Sequence, residues 1–324
     1  MNDVRAITIT LIFEACAVNR DENIGGNMQS IKKLRRRGGI YSFLSRAFMR
    51  HKLFNALARK YSWKPAPVTV GTNNVIQFDL ENNSIIHSEE LDFFGYMSTV
   101  SETVVRKAPI GMTKAVSLEP WEGDMAFYAN HDMVARAQKQ GKKATPNPFS
   151  KEEHLSLYKF SIVMDLDRIG VDEVIVQKDA KIFGVEVREE MKKDFDGGYV
   201  EIKKLSKDYY SVTAKVNEDE KRKRICNFLD VVINGFDIHT STESWSTTPM
   251  FAIVATLNLP LTLFNPYVKL NENGLDSTSL TSAIENTSVL KVWMYPGMFK
   301  VGVKGVDVVE SPKKLYEKIC AEIS

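Results

Sequence analysis

Two long runs of alternating residues, far apart in the chain, constrain its fold more than any other feature. The segment Ala6–Ala15 places one set of apolar side chains on a single face, namely Ile7, Ile9, Leu11 and Phe13. The segment Tyr158–Asp165 does the same with Tyr158, Phe160, Ile162 and Met164. A period of two residues is typical of a strand with one face on a core. Both segments are therefore predicted to be core strands.

Helical spacing is clearest in the sequence DEKRKRICNFLDVVING. Its apolar residues recur at i, i+3, i+4, i+7 and i+8, acidic residues occupy the first turn, and Gly235 stands at the C-terminal end. A second helix is predicted from Ser42, as its N-cap, to about Lys60, with an apolar face formed by Phe43, Ala47, Phe54 and Ala58. A last helix is predicted to begin at Ser311 and Pro312 and to bury Leu315 and Ile319.

Further strands are predicted at 250–257, 290–295 and 299–303. The predicted order is strand, helix, insertion, strand, irregular β-rich stretch, helix and strand, with extra β-structure at the end. This order indicates an α+β fold built on a split βαβ sheet of the ferredoxin-like or RRM-like type. Such sheets often bind RNA, but they also carry many unrelated functions.

Charge is distributed very unevenly along the chain. The whole sequence has 43 basic and 41 acidic residues, yet no acidic residue occurs between Glu22 and Asp79. That window holds eleven Lys and Arg residues, so the rest of the chain has 32 against 41, a net charge of about −9. A solvated charged face normally mixes signs. The window therefore indicates a surface for an anionic partner, and the acidic remainder is available to contact another copy of the chain.

Several classes of function find no support in the sequence. The three cysteines are widely spaced, which indicates neither a disulfide framework nor a metal knuckle and favours the cytoplasm. No phosphate-binding loop, GxGxxG, HExxH or GxSxG motif is present, and no apolar run is long enough for a membrane span. Asp165 with Asp167, and Asp237 with His239, are spaced so that they could share a metal, but no third ligand is evident. We expect no cofactor, no metal and no catalysis.

Residue types in the basic window favour nucleic acid. Tyr41, Phe43, Phe48 and His51 are interleaved with the basic residues, so the window offers phosphate contacts and stacking planes together. The arginines before Gly38-Gly39 are predicted to lie on a flexible loop that approaches a backbone closely. A helix start at Ser42 would add backbone N–H donors. These features predict a sequence-independent grip on a phosphate backbone.

Four segments in order resemble one family. They are AITITLIFEA followed by VNRDENIGGNMQSIKKLRRRGGIYSFLSRAFMR, then DFFGYM, VRKAPIGMTKAVSLEP and FSKEEHLSLYKFSIVMDLDRIG. This pattern, with its S-x-x-x-R helix start, is similar to that of the crRNA-binding backbone subunits of CRISPR Cascade complexes, in the type I-B, DevR/Cst-type Cas7 family. The loop and strand STESWSTTPMFAIVA resemble the family more loosely.

The resemblance implies an RRM-like palm with finger and thumb insertions. On this chain the palm would comprise residues 1–63, 105–124 and 151–324, the fingers 64–104 and the thumb 125–150. RNA contacts would come from Asn19, Arg20, Lys33, Arg35, Arg36, Arg37, Ser42, Ser45, Arg46 and Arg50. The thumb would offer Phe127, Tyr128 and Met133 as apolar wedges. A loop that follows the RNA backbone would comprise Ser244, Trp245, Ser246, Thr247 and Thr248, although relatives are Gly-rich there.

The implied function is a non-catalytic scaffold that polymerises along a guide RNA and presents it to a target DNA strand, together with other Cascade subunits. Two alternatives remain open at this point. Related subunits cut RNA with an acidic residue near the first loop, where this chain has Asp21 and Glu22, so a metal-dependent ribonuclease is one alternative. A stand-alone single-stranded RNA-binding protein is the other.

Overall fold

The computed structural model describes residues 4–23, 27–71, 74–99, 103–240, 243–272 and 274–323, and for Glu22 and Asn23 the backbone alone. The described part is a mixed α/β structure with helices α1 (Arg46–Tyr61), α2 (Glu89–Phe94), α3 (His131–Lys139), α4 (Glu218–Asn234), α5 (Ser277–Ile284) and α6 (Pro312–Glu322). Its strands are β1 (Ala6–Cys16), β2 (Arg20–Asn23), β3 (Met28–Ile31), β4 (Lys33–Arg36), β5 (Gly39–Leu44), β6 (Val68–Val70), β7 (Ile76–Phe78), β8 (Tyr96–Ser98), β9 (Val104–Arg106), β10 (Ile110–Met112), β11 (Ala115–Ser117), β12 (Met125–Tyr128), β13 (Phe149–Glu152), β14 (Leu155–Asp165), β15 (Val171–Gln177), β16 (Lys181–Ile182), β17 (Val185–Glu186), β18 (Met191–Phe195), β19 (Gly198–Lys204), β20 (Tyr209–Val216), β21 (Phe251–Leu257), β22 (Leu270–Asn271), β23 (Gly274–Leu275), β24 (Val289–Tyr295) and β25 (Asp307–Val308).

The main sheet is built around the two alternating segments. Among the described strands its order is β25-β24-β21-β1-β14-β11-β5-β4, and β10 also pairs with β14. β1 lies between β14 and β21 and is antiparallel to both. Ile9 lies opposite Ile162, and Phe13 lies opposite Tyr158. The two predicted core strands are therefore confirmed, and they are direct neighbours.

Both faces of β1 are buried, whereas the sequence predicts one. Ile7, Ile9 and Leu11 pack with α1, α4 and α6 in the largest hydrophobic cluster. Ala6 and Ile12 pack on the opposite face, with apolar residues of β21 and of the segment 263–294. Polar side chains on that second face also bond to one another, as between the hydroxyls of Thr10 and Ser161 at 2.7 Å. The segment that covers this face follows β21, so alternation within β1 does not reveal it.

Most of the predicted helices and C-terminal strands are confirmed. α4 ends at Asn234 with Gly235 as its C-cap, and α6 is capped by Ser311 and buries Leu315 and Ile319. The strands predicted at 250–257 and 290–295 correspond to β21 and β24. The strand predicted at 299–303 is wrong. Those residues form no ladder, and Phe299, Val301 and Val303 instead pack singly against the second-face cluster.

The start of α1 also differs from the prediction. Ser45, and not Ser42, is the N-cap, and its Oγ accepts a hydrogen bond from the backbone N–H of Phe48. Its fully buried residues are Met49, Leu53 and Leu57. Of the predicted residues, Phe54 is half-buried and packs against the same core, and Ala58 is half-buried. The predicted Phe43 lies in β5, and Ala47 is exposed.

Replacing the N-cap is expected to weaken α1 measurably. Ser45→Ala removes the side-chain acceptor for the Phe48 N–H and should lower the free energy of unfolding by about 1 kcal/mol. Ser282→Ala is a matched control, because Ser282 is exposed within α5 and bonds only to a carbonyl one turn away. Urea denaturation followed by circular dichroism measures both. Equal stability of the two variants would contradict the cap assignment.

A second hydrophobic cluster joins two distant parts of the sequence. One part runs from Ala66 to Val104 and includes α2 and the hairpins β6-β7 and β8-β9. The other runs from Val174 to Val216 and contributes the antiparallel sheet β15-β20-β19-β18. These two segments therefore pack as one unit beside the main sheet.

A buried charge network connects this unit to α4. Asp92 has no exposed surface and accepts hydrogen bonds from Arg106 at 2.9 Å, Arg224 at 3.2 Å and the Gly170 N–H at 2.8 Å. Arg106 also pairs with Asp172 at 3.3 Å. Burial raises the pKa of Asp92 above its ordinary value, while the two guanidinium charges oppose that rise. A carboxylate bonded in this way ties α2, β9 and α4 together.

Residues 125–152 project from the main sheet. β12 and β13 form an antiparallel pair, and α3 lies between them with no buried residue. β13 also pairs in parallel with β3, which follows the first strand of the chain. This antiparallel pair and α3 occupy the range in which the resemblance implies a thumb.

Candidate nucleic-acid interface

The arginines of the acid-free window lie on a tight hairpin and not on a flexible loop. β4 and β5 pair from Lys33 opposite Ser42 to Arg36 opposite Gly39, which leaves Arg37-Gly38 as the turn. Gly38 has φ of 99°, a conformation that favours glycine. Arg35, Arg36 and Arg37 are all exposed, and none forms an ion pair with another described residue. The hairpin therefore presents unneutralised positive charge.

Helix α1 begins directly after this hairpin and continues the basic surface. Arg46 is exposed, and Arg50 lies one turn later. Arg50 pairs with Glu90 at 3.0 Å, and its guanidinium lies 4.8 Å from the centre of the Phe94 ring. Both arginines line a cleft of about 460 Å³, which is also bordered by His51, Gly95 and Met112. The helix thus combines one free arginine with one that is held in place.

Three residues predicted to contact RNA near the helix start have bonding partners within the fold. Ser42 is fully buried, and its hydroxyl bonds to His154 Nδ1 at 2.7 Å and to the Tyr158 hydroxyl at 2.6 Å. The predicted contact at Ser42 is therefore wrong, because β5 directs this side chain into the core. Asn19 Oδ1 accepts the Ser45 N–H at 2.8 Å, so Asn19 and Ser45 position the first turn of α1.

Arg20 and Lys33 are already paired with carboxylates. Arg20 donates to Glu153 and to Glu243, each at 3.2 Å. Lys33 donates to Glu152 at 2.6 Å, and its ammonium group lies 3.9 Å from the centre of the Trp121 ring. These glutamates are far from the window in sequence, and no pattern in the window predicts them. Both cations are less available to a phosphate than the four free arginines.

A thiol lies among the same carboxylates. Ligand atoms of Cys16, Glu153 and Glu243 lie within 4.8 Å of one another. Burial and the two glutamates raise the pKa of Cys16 to about 11, so the thiol stays protonated at neutral pH. Arg20 already bonds both carboxylates. This group therefore fits a guanidinium better than a metal ion.

The other acidic pairs singled out in the sequence also have partners. Asp167 pairs with Arg5 at 2.7 Å, and the Asp237 carboxylate accepts the His239 N–H at 2.7 Å. Asp21 pairs with Lys32 at 2.8 Å, whereas the side chain of Glu22 lies outside the described residues. None of these carboxylates belongs to a cluster of metal-binding side chains in the part of the chain that the structure describes.

The projecting segment carries exposed apolar side chains. Phe127 and Met133 are 69% and 66% exposed. Tyr128 is less so, because its ring stacks on Phe149 with centroids 5.2 Å apart. Met125 is also exposed and lies on the same side of β12 as Phe127. The sequence analysis does not include Met125 among the apolar wedges.

The segment Ser244–Thr248 packs against the end of α4. Thr247 is buried and its Oγ1 accepts the Phe236 N–H at 2.8 Å, while Trp245 packs against the main core. Gly235 has φ of 94°, and a Cβ there would lie 2.8 Å from the Thr248 backbone. Ser244, Ser246 and Thr248 remain exposed and line a surface cleft together with Glu14 and Asp237. Ser241 and Thr242 lie outside the described residues.

Within the described ranges, no helix is both long and apolar enough to cross a membrane.

Comparisons with known proteins agree on one family. The sequence model described as "CRISPR-associated negative auto-regulator DevR/Csa2" matches residues 7–277. A curated relative from Myxococcus xanthus (strain DK1622), "CRISPR-associated protein Cas7/Cst2/DevR", is 24% identical over 165 residues. That match covers 45% of this chain and 52% of the relative, so it spans about half of the relative's length.

Two solved structures share the fold at low sequence identity. A chain titled "CRISPR RNA-guided surveillance complex, pre-nicking" has a TM-score of 0.63 and 9% identity, and covers 98% of this chain and 100% of its own. A chain titled "CRISPR RNA-guided surveillance complex" has a TM-score of 0.54 and 10% identity, and covers 98% of this chain and 99% of its own. Since the family's sequence model spans most of the chain, the protein belongs to the CRISPR-associated DevR/Csa2 family.

Proposed function

We propose that this protein is a non-catalytic, crRNA-binding backbone subunit of a type I CRISPR Cascade complex. The observation that carries the proposal is the run of exposed, unpaired arginines on the β4-β5 hairpin and at the start of α1. Such a surface binds phosphates without reading bases, which suits a scaffold whose sequence specificity comes from the guide RNA. Arg35, Arg37 and Arg46 are the proposed primary contacts, and Arg50 is a pre-positioned one. Arg36 lies at the edge of this surface, because its side chain leaves β4 on the side opposite to that of Arg35.

The connectivity of the main sheet supports an RRM-like palm. β1, α1, β10 and β11, β14, α4 and β21 follow one another, with strand order β21-β1-β14-β11 and antiparallel neighbours. This is the order of a split βαβ sheet. The palm would hold residues 1–63, 105–124 and most of 151–324. The thumb would be 125–150, with Phe127 and Met133 as its freest apolar side chains.

The fingers are proposed to include more than residues 64–104. Those residues share a hydrophobic cluster with Val174–Val216, so both segments would form one finger unit. Ser244, Ser246 and Thr248 would follow the RNA backbone from the end of α4. Thr247 lies between them in sequence, but its side chain is buried and bonds to the Phe236 N–H.

Assembly along the RNA follows from the uneven charge. The window is basic and the remainder carries about −9, so one copy can place its acidic surface against the basic side of the next. When one surface of each copy contacts a different surface of the next copy, and the series does not close into a ring, the assembly is an open helical filament. We propose that copies of this chain, joined by other Cascade subunits, hold the guide in the cytoplasm for pairing with a target DNA strand.

Sequencing the RNA that copurifies with the full chain tests this function. Expression together with a CRISPR array should yield RNAs that share a repeat-derived end, and these RNAs should stay intact when Mg²⁺ is added. The same chain expressed without an array is the control. RNA of mixed sequence in both preparations would refute the scaffold. Cleavage at regular spacing with Mg²⁺, abolished by Asp21→Ala, would require a ribonuclease instead.

A further inference from the structure

The face of the main sheet opposite α1 and α4 carries a separate group of aromatic and basic residues. Alternation along β5 sends Leu44 into the helix-side core and Phe43 to the opposite face. Phe43 lies opposite Val116 of β11, and Val116 lies opposite Lys159 of β14. Tyr41 is two residues before Phe43 and shares its face. We call this surface the Phe43 face, with Arg36, Tyr41, Phe43, Lys114 and Lys269 as its members.

The charged members of the Phe43 face are cations. The Lys114 ammonium lies 4.3 Å from the centre of the Phe43 ring. Lys159, beneath them, is buried and donates to the carbonyls of Asn265 at 2.6 Å and Val268 at 2.9 Å. Burial, followed by the charges of Arg36 and Lys269, lowers the pKa of Lys159 to about 8. Lys269 directly follows Val268, whose carbonyl bonds this amine, and Arg36 lies opposite Gly39 on the same side of the hairpin as Tyr41.

Few carboxylates neutralise this positive charge. On the Phe43 face, the part of β14 around Lys159 contributes Leu157, Ser161 and Val163, none of which is acidic, and the one acidic residue of β14 on this face, Asp165, is at the far end of the strand, opposite Ala6. The positive charge of Lys269 contributes to lowering the pKa of Asp276. However, Asp276 already caps α5 by accepting the Ser279 N–H at 3.1 Å and its hydroxyl at 2.5 Å. The exposed cations Arg36, Lys114 and Lys269 are thus available to an anion.

The sheet separates this surface from the interface on α1. Lys33 and Arg35 alternate with Leu34 and Arg36 along β4, and Lys33 contacts Glu152 on the helix side. Arg36 lies on the other side, near Lys159. A strand bound along α1 would therefore not cover Phe43, and the hairpin supplies arginines to both faces.

We propose that the Phe43 face is a second binding surface, for a single-stranded nucleic acid other than the strand bound at α1. Half-buried aromatic rings flanked by exposed cations form a platform on which bases stack while phosphates meet Arg and Lys. Phe43 and Tyr41 provide the rings, and Arg36, Lys114 and Lys269 provide the charge. Because stacking and phosphate contacts are available with every base, binding is expected to depend little on sequence.

Charge reversal on this face tests the proposal. The double variant Lys114→Glu, Lys269→Glu should bind a fluorescein-labelled 15-nucleotide oligodeoxythymidylate about tenfold more weakly than the unmodified chain. The slope of log K against log salt should fall by about 1.4, since each single-strand phosphate contact contributes about 0.7. A parallel titration with oligouridylate shows whether the surface prefers DNA or RNA. The amount of RNA that copurifies with the chain should be unchanged.

A matched control and a covalent readout make the test decisive. Lys204→Glu, Lys207→Glu makes the same charge change at exposed residues of the β19-β20 turn and should leave oligonucleotide binding unaltered. Oligonucleotides carrying 5-iododeoxyuridine should crosslink to the tryptic peptide Gly38–Arg46, which contains Tyr41 and Phe43. Equal affinity of the two double variants, or crosslinks confined to α1 and the projecting segment, would overturn the proposal. Neither result bears on the copurified RNA, so the proposed function is judged separately.

Discussion

The double variant Arg35→Glu, Arg46→Glu is expected to bind guide-length RNA about 100-fold more weakly than the unmodified chain, at about tenfold for each arginine. Both side chains are exposed, and neither has an ion-pair partner among the described residues. Reversal therefore removes phosphate contacts without breaking an internal contact. Filter binding across a series of salt concentrations measures both the affinity and the salt slope, which should fall by about 1.4.

The matched control for this pair is again Lys204→Glu, Lys207→Glu. It changes the net charge equally on the far sheet of the second cluster, so it separates a local contact from the overall charge of the molecule. Unchanged RNA affinity of the arginine variant would remove the hairpin and α1 from the interface. An equal loss in both double variants would mean that net charge alone attracts the RNA.

Removing the carboxylate of Asp92 is expected to produce the largest loss of stability in the chain. Asp92→Ala leaves Arg106 and Arg224, each no more than 5% exposed, without their shared counter-charge. Removing one partner of a buried ion pair costs about 3–5 kcal/mol, because the remaining charge stays in a medium that solvates it poorly. Urea denaturation, followed separately by tryptophan fluorescence and by circular dichroism, measures this loss.

Asp132→Ala is the control for Asp92→Ala. Asp132 also pairs with an arginine, Arg136, but both side chains are about three-quarters exposed. Exposed pairs contribute from zero to about 1 kcal/mol. A loss for Asp92→Ala as small as that of the control would show that the buried network does not hold α2, β9 and α4 together.

Sequence alone predicts the parts of this fold that depend on local periodicity. Alternation identifies β1 and β14, and the spacing of apolar residues identifies α4, because large apolar side chains recur along the side of each element that packs in the main cluster. The start of α1 was misjudged because Ser42 and Ser45 are both suitable caps by residue type. It is the pairing of β5 with β4, in which Ser42 lies opposite Lys33, that assigns Ser42 to a strand.

The candidate site shows the same difference between features that depend on local sequence and features that depend on distant residues. A lack of acidic neighbours in sequence correctly indicates exposed charge at Arg35, Arg36, Arg37 and Arg46. For Lys33 this reasoning fails, since Glu152 reaches it through the pairing of β13 with β3. Arg20 lies outside the acid-free window, next to Asp21, and pairs with Glu153. The second hydrophobic cluster is likewise invisible in the sequence, because its two segments are separated by β10, β11, the projecting segment and β14.

The way the chain passes between its two larger hydrophobic clusters limits how they can move. It enters the second cluster after α1 and leaves it before β10, then enters again after β14 and leaves before α4. A hinge between two clusters normally involves one or two chain connections. Here the chain crosses between the clusters four times, so all four connections would have to bend together. With Asp92 bridging the same boundary, we expect the two parts to respond to a bound strand as one stiff body, and flexibility to be concentrated in the projecting segment, whose helix buries no side chain.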